Sequence, residues 1–157
     1  MLEIKELTKS KIPEIVNIFS DYDTNDAKLI KKAYNKFYSR PKSKRNSNVK
    51  DYILLENKQI IGFSGFNKEE TETTDIYWLN WTAIKKGYEK KGHGKFLINF
   101  IKKKVSEKRG RKLYVSTSSL NKLALNFYGE VGFSKEATLK DYYSKGEDSV
   151  ILGINLE

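Results

Sequence analysis

Between residues 82 and 95 the chain passes from a strand-like run, through a loop with closely spaced glycines, into a long amphipathic helix. The run 75–84 holds Ile76, Tyr77, Trp78, Leu79, Trp81 and Ile84, the branched and aromatic residues that suit a strand. The helix is predicted from about Gly92 to Arg109, with Phe96, Leu97, Phe100, Ile101 and Val105 as its apolar stripe and Gly110 placed to stop it. Unpaired N–H groups at a helix start, beside glycines that let a ligand approach the backbone, suit an anion such as a pyrophosphate. A dinucleotide fingerprint would need a further glycine where Leu97 stands, and no Gly-Lys-Ser/Thr loop is present.

The rest of the chain alternates in the same manner. Ile12, Ile15, Val16 and Phe19 recur at helical spacing, with Thr8 or Ser10 to cap them and Pro13 in the first turn. A second helix is predicted over 26–38, with Leu29, Ile30, Ala33, Tyr34 and Phe37 on one side. Runs 52–56 and 59–67 read as a hairpin joined at Asn57-Lys58. After Gly110 come a strand at 112–117, a helix at about 119–131 ended by Gly132, and strands at 137–143 and 148–156 around a Lys145-Gly146-Glu147 turn. The predicted order is α-α-β-β-β-α-β-α-β-β. Hairpins followed by crossover helices imply an α/β fold with a mixed twisted sheet and helices on both faces. No repeat or Pro/Gly-rich linker divides the 157 residues, so a single domain over 1–157 is expected.

Composition narrows the chemistry. There is no cysteine, which removes disulfides, thiolate metal sites and a cysteine nucleophile and suits a reducing compartment. One histidine leaves few parts for a metal site, and no metal is expected. No run has the length of a membrane span, and Met1-Leu2-Glu3-Ile4-Lys5 lacks the apolar core of a signal peptide, so a cytoplasmic domain without a membrane partner is expected. The net charge of +10 comes mostly from lysines scattered among acids, densest at 40–45 and 102–104. Such charge suits a polyanionic cofactor as well as nucleic acid, but no nucleic-acid-binding fingerprint accompanies it.

A second constellation lies in residues 121–133. Asn121 and Tyr128, seven residues apart, share a helix face, while Leu123, Phe127 and Val131 fall on another that is predicted to pack inward. Asn121 and Tyr128 either line one cleft or serve as a helix starter and a core edge.

Together the two stretches resemble the GNAT acyltransferase superfamily. Its Arg/Gln-x-x-Gly-x-Gly/Ala signature is matched by Glu89-Lys90-Lys91-Gly92-His93-Gly94, and its Asn…Phe-Tyr…Gly-Phe pattern by Asn121, Phe127-Tyr128 and Gly132-Phe133. The ending at 141–148 is similar to that of the small ribosomal-protein N-terminal acetyltransferases. The resemblance implies acetyl transfer from acetyl-CoA to a primary amine by direct attack, the acceptor being a small-molecule amine or a protein N-terminus. It further implies that the backbone of Thr82, Ala83 and Ile84 holds the pantetheine arm, with the Ile84 amide near the thioester carbonyl. Backbone N–H groups of Glu89, Lys90, Lys91, Gly92, His93, Gly94 and Lys95 would hold the pyrophosphate. Asn121 would contact pantetheine, and Tyr128 would protonate the departing thiolate. A homodimer is compatible with this resemblance.

Two departures stand out. Glu89 replaces the usual Arg or Gln, and its side chain is expected to swing toward solvent. The general-base carboxylate of many relatives is missing from 77–81 and 114–117, so a water held by Asn80, Ser116 or backbone carbonyls is the expected relay. Asp23, with Asp21 and Asp26, lies where the resemblance places part of the acceptor site. Trp78 and Tyr143 are further acceptor-pocket candidates, with Trp81 and Tyr142 as alternatives. His93 reads as a turn residue without a catalytic part. A CoA-binding protein without transferase activity and, further off, a basic nucleic-acid-binding module are the alternative functions.

Overall fold

Asn57 and Lys58 both hold positive φ (50° and 69°), the geometry a two-residue hairpin turn demands. They join β2 (Val49–Glu56) to β3 (Gln59–Lys68), as predicted. The computed structural model describes residues 1–69 and 75–156. Among them are eight strands and four α-helices, and the strands form a mixed sheet. Two compact units carry them: Met1–Asn67 with Asn80–Ile98, and Lys68–Leu79 with Asn99–Glu157.

In the first unit β1 (Leu2–Glu6) pairs antiparallel with β2, β2 with β3, and the short β5 (Ala83–Ile84) with β3. The sequence reading omitted β1, because its inward positions are only Leu2 and Ile4. On one face of these strands, α1 (Ile12–Ser20) and α2 (Thr24–Tyr38) bury Ile12, Ile15, Ile18, Ile30, Tyr34 and Tyr38 with Ile53, Leu55, Ile60 and Phe63. On the other face Leu97, from the first turns of α3 (His93–Glu107), packs with Leu54 and Ile61. Alternate strand residues thus serve helices on both faces, the layered arrangement expected.

Local differences have local causes. The predicted strand 75–84 is two, β4 (Ile76–Leu79) and β5. Between them the Thr82 hydroxyl bonds the Asn80 carbonyl at 3.1 Å and the Ser64 hydroxyl at 2.7 Å, contacts that compete with ladder pairing. Leu29 and Ala33 of α2 face solvent, and Ala27, Ile30, Tyr34 and Tyr38 form the buried stripe.

In the second unit β4 runs parallel to β6 (Lys112–Ser118), and β8 (Glu147–Asn155) pairs antiparallel with both β6 and β7 (Ser134–Ser144). Ile101 and Val105 of α3 are fully buried, whereas Phe96 is exposed and Ile98 takes its predicted place in the stripe. The left-handed residue after α3 is Arg109 (φ 60°), not Gly110. Gly110 answers a different need, since a Cβ there would collide with Val105 and the Tyr77 ring. After α4 (Lys122–Glu130), Val131 and Phe133 are buried, but Leu123 is 78% exposed and does not pack inward. Lys102 reaches across to the Val131 carbonyl at 2.6 Å, which satisfies an acceptor at that helix end.

Candidate active site

The strand end predicted to hold a cofactor arm is placed by Gly62. A Cβ at Gly62 would stand 2.6 Å from Ile84 Cδ1 and 3.1 Å from the Ala83 carbonyl, so only glycine lets β5 lie this close to β3. Thr82, Ala83 and Ile84 are half-buried. In the loop that follows, Gly87, Lys90 and Gly92 all take positive φ (89°, 58° and 84°), and α3 opens at His93. Gly87 and Gly92 would each point a Cβ into open space. His93 is buried rather than a free turn residue. Its Nδ1 lies 2.9 Å from the Tyr88 carbonyl and its Nε2 3.5 Å from Glu56, which moors the helix start to β2. Lys91 folds back onto the Gly87 carbonyl at 2.9 Å, while Lys90 and Lys95 are exposed.

Glu89 is exposed, as expected, yet its carboxylate is engaged by the loop rather than free. Its Oε2 accepts the Gly87 amide at 2.6 Å and its Oε1 the Tyr22 hydroxyl at 2.7 Å. The Tyr22 bond, more than any other contact, holds the Glu89 carboxyl below its usual pKa, while burial and Glu89 push the Tyr22 phenol up. The Ile84 carbonyl lies 2.6 Å from the same hydroxyl, so the single Tyr22 proton is shared between two acceptors. The loop therefore already binds an anionic oxygen through a backbone amide, which is the chemistry a diphosphate requires.

Asn80 is turned into the protein. Its Oδ1 accepts from Asn67 at 2.6 Å, and its Nδ2 donates to Asp51 Oδ1 at 3.0 Å. Tyr34 donates to the same Asp51 oxygen at 3.1 Å. Asp51, on β2, is only 4% exposed, and its Oδ2 has no hydrogen-bond partner among the described residues. The Tyr38 hydroxyl also favours the ionised form of this carboxylate. Burial pushes the Asp51 pKa up to about 6, and bonds from Asn80 and Tyr34, with Tyr38 beyond them, oppose that rise. Gly65 on β3 makes the room, since any Cβ there would strike the Asp51 carboxyl. Neither Asp51 nor Tyr22 was among the residues read from sequence. The available signal for Asp51 was an acid in register with Ile53 and Leu55 on the buried face of an apolar strand.

The aspartates between α1 and α2 divide. Asp23 caps α2, accepting the Asn25 and Asp26 amides at 2.8 and 2.9 Å, so its carboxylate serves the helix. Burial, then Asp23, raises the Asp26 pKa. Asp21 lines a surface hollow of about 450 Å³ with Glu14, Asn17, Gln59 and Lys85.

In the second unit, Asn121 is the N-cap of α4, and its Oδ1 accepts the Ala124 amide at 3.1 Å. Tyr128 is buried, its ring packed on Phe127 (5.4 Å) and Phe133 (5.6 Å). Trp78 is half-buried against Tyr114. Tyr143 is 49% exposed and meets Tyr142 edge to face. Ser116 is exposed. No helix among the described residues is long and apolar enough to cross a membrane. No group of His, Cys, Asp and Glu able to hold a metal ion occurs among them either.

Residues 12–133 match the family model described as the acetyltransferase (GNAT) family. No curated protein matches the sequence. Among solved structures, a GNAT-family protein from Desulfovibrio desulfuricans superposes at TM-score 0.89 with 18% identity, covering 100% of both chains. The ribosomal-protein-S18-alanine N-acetyltransferase of Escherichia coli superposes at 0.77 with 17% identity, over 100% of this chain and 95% of that one. A GNAT acetyltransferase from Elizabethkingia anophelis, solved with acetyl-CoA bound, superposes at 0.74 with 18% identity, over 99% and 98%.

Proposed function

The chain belongs to the GNAT acetyltransferase family, and from that premise we propose that it moves the acetyl group of acetyl-CoA to a primary amine by direct attack within a ternary complex. The observation that carries this reading is the positive-φ loop at the start of α3, whose Gly87 amide already holds a carboxylate oxygen. The family match takes in parts of both units, which supports residues 1–157 acting as one functional domain.

Bound acetyl-CoA would supply an activated acetyl thioester. Backbone groups of 89–95 would bind its pyrophosphate, and those of Thr82, Ala83 and Ile84 its pantetheine arm. The Ile84 amide would donate to the thioester oxygen as negative charge gathers there. Asn121, whose Oδ1 serves the helix cap, would offer its Nδ2 donors to pantetheine. Tyr128 would give its hydroxyl proton to the leaving thiolate. With no cysteine in the chain, direct transfer without a covalent acyl-enzyme is the simplest course. The acceptor is a small-molecule amine or a protein N-terminus; likeness to the ribosomal-protein acetyltransferase supports the second. Trp78 and Tyr143 are proposed as its contacts, and Asp23 as a nearby negative charge. The protein is proposed to act in the cytoplasm, where acetyl-CoA and free amines meet.

Calorimetric titration with acetyl-CoA, followed by thiol-release assays over an amine panel, tests the reading. Micromolar binding with turnover supports it. Binding without turnover on any amine would mark a CoA-binding protein that is not a transferase, and no binding by folded protein would end the proposal.

A further inference from the structure

We propose that Asp51 takes the proton released by the acceptor amine, with Asn80 and Tyr34 as the residues that position its carboxylate; this rests on the acetyl-transfer reading above. The strands expected to supply a base carry none at 77–81 or 114–117. The fold supplies one from β2 instead. Asn80 lies two residues before Thr82, at the edge of the segment proposed to hold the thioester, and its amide nitrogen is bonded to Asp51. Asn67 fixes which way that amide faces, since its Nδ2 donates to Asn80 Oδ1.

One Asp51 oxygen is committed to Asn80 and Tyr34, and the other, Oδ2, is buried with no geometric hydrogen bond among the described residues. An unpaired carboxylate oxygen in the interior is costly to keep, and a proton satisfies it. At 4% exposure the amine cannot itself reach the carboxylate, so transfer passes through one water. In balance, an N–H bond of the ammonium breaks and an O–H bond forms on Oδ2, the water gaining and losing one proton. The electron pair left on nitrogen attacks the thioester carbonyl carbon, and the C–S bond breaks as the thiolate takes its proton from Tyr128. The nitrogen, still carrying one proton too many, loses a second N–H, and that proton returns through solvent to the Tyr128 oxygen.

The surroundings suit a base rather than a structural ion pair. Tyr34 and Tyr38 face Asp51 from α2, Gly65 from β3, and Asn80 from the segment before β5. Arg45 and Glu6 act on the neighbouring Tyr38, and Glu6 itself pairs with Lys50. A carboxyl with a pKa of about 6 is ionised at neutral pH and a stronger acceptor than an ordinary aspartate.

The test measures thiol release from acetyl-CoA with n-butylamine, an alanyl tripeptide or water as nucleophile, from pH 5 to 9, beside acetyl-CoA titrations and melting curves. In wild type, kcat/KM should show an acid limb near pH 6, as the Asp51 value of about 6 requires. Asp51→Asn should keep its acetyl-CoA Kd within about twofold, lose roughly 100-fold or more in rate, and lack that limb. Tyr34→Phe, which removes a bond that favours the ionised form, should move the limb to higher pH, a displacement that a merely structural role does not produce. A folded Asp51→Asn that keeps the wild-type rate, or a limb unmoved in Tyr34→Phe, overturns the proposal alone. Wild type that binds no acetyl-CoA, or binds it and releases thiol with none of the three nucleophiles, overturns the acetyl-transfer reading and this proposal with it.

Discussion

The Tyr22 hydroxyl donates to Glu89 Oε1 at 2.7 Å while Glu89 Oε2 takes the Gly87 amide at 2.6 Å, so one carboxylate links the loop after α1 to the anion-binding loop. Binding a diphosphate there means displacing a like charge. Glu89→Gln should therefore tighten acetyl-CoA binding about fivefold, the equivalent of ~1 kcal/mol for exposed charges, and the gain should shrink in high salt. Because the Glu89 pKa is lowered, the carboxylate stays ionised throughout the neutral range, and the gain should be equal at pH 6 and pH 8. Calorimetry at two salt concentrations and both pH values reads this directly.

Gly92 sits at φ 84° with open space beyond its Cα. Gly92→Glu should fold, with a loss of about 1–2 kcal/mol from left-handed strain. It should also weaken acetyl-CoA binding by roughly tenfold or more, by setting a second carboxylate at the loop. Gly92→Ala, with the strain but without the charge, should retain most of the affinity; denaturant melts and titration separate the two effects.

The raised Asp51 pKa has a defined consequence for stability. The folded state holds this proton more tightly than the unfolded chain, so its contribution is full below the ordinary aspartate pKa near 3.8 and is lost as pH rises through about 6. The difference between wild type and Asp51→Asn should change by on the order of 2–3 kcal/mol between pH 4 and pH 8, with wild type relatively weaker at the alkaline end. Urea unfolding of both proteins across that range measures it.

Burial ranks the apolar positions. Leu97, fully buried on the α3 face of the first unit, should lose about 2–5 kcal/mol as Leu97→Ala, whereas Leu123→Ala at an exposed site should stay within about 0.5 kcal/mol. Equal losses for the two would contradict the burial described for α4.

Tyr128→Phe keeps the ring that packs on Phe127 and Phe133 and removes only the hydroxyl. If that hydroxyl protonates the leaving thiolate, kcat should fall about 10- to 100-fold with acetyl-CoA affinity unchanged. Stopped-flow thiol release beside calorimetry separates this from a packing defect.

What the amino-acid order determined by itself is local. Asn57-Lys58 demanded a hairpin, the glycines of 87–94 demanded a loop before a helix, and the 3.6-residue period placed Leu97, Ile101 and Val105 inward, since each depends on backbone conformation or on neighbours within a turn or two. The tertiary structure alone decided which polar groups meet. Asp51 and Asn80 are 29 residues apart and Tyr22 and Glu89 are 67 apart, so no period or spacing could pair them. Their meeting depends on strand register, on the room left by Gly65, and on the turn that carries Asn80 inward between β4 and β5. A short polar side chain can be satisfied by many partners, and only the packed fold chooses one. For the same reason the exposure of Glu89 was legible in the sequence, but its bond to Tyr22, an exposed residue with no helical or strand signature, was not.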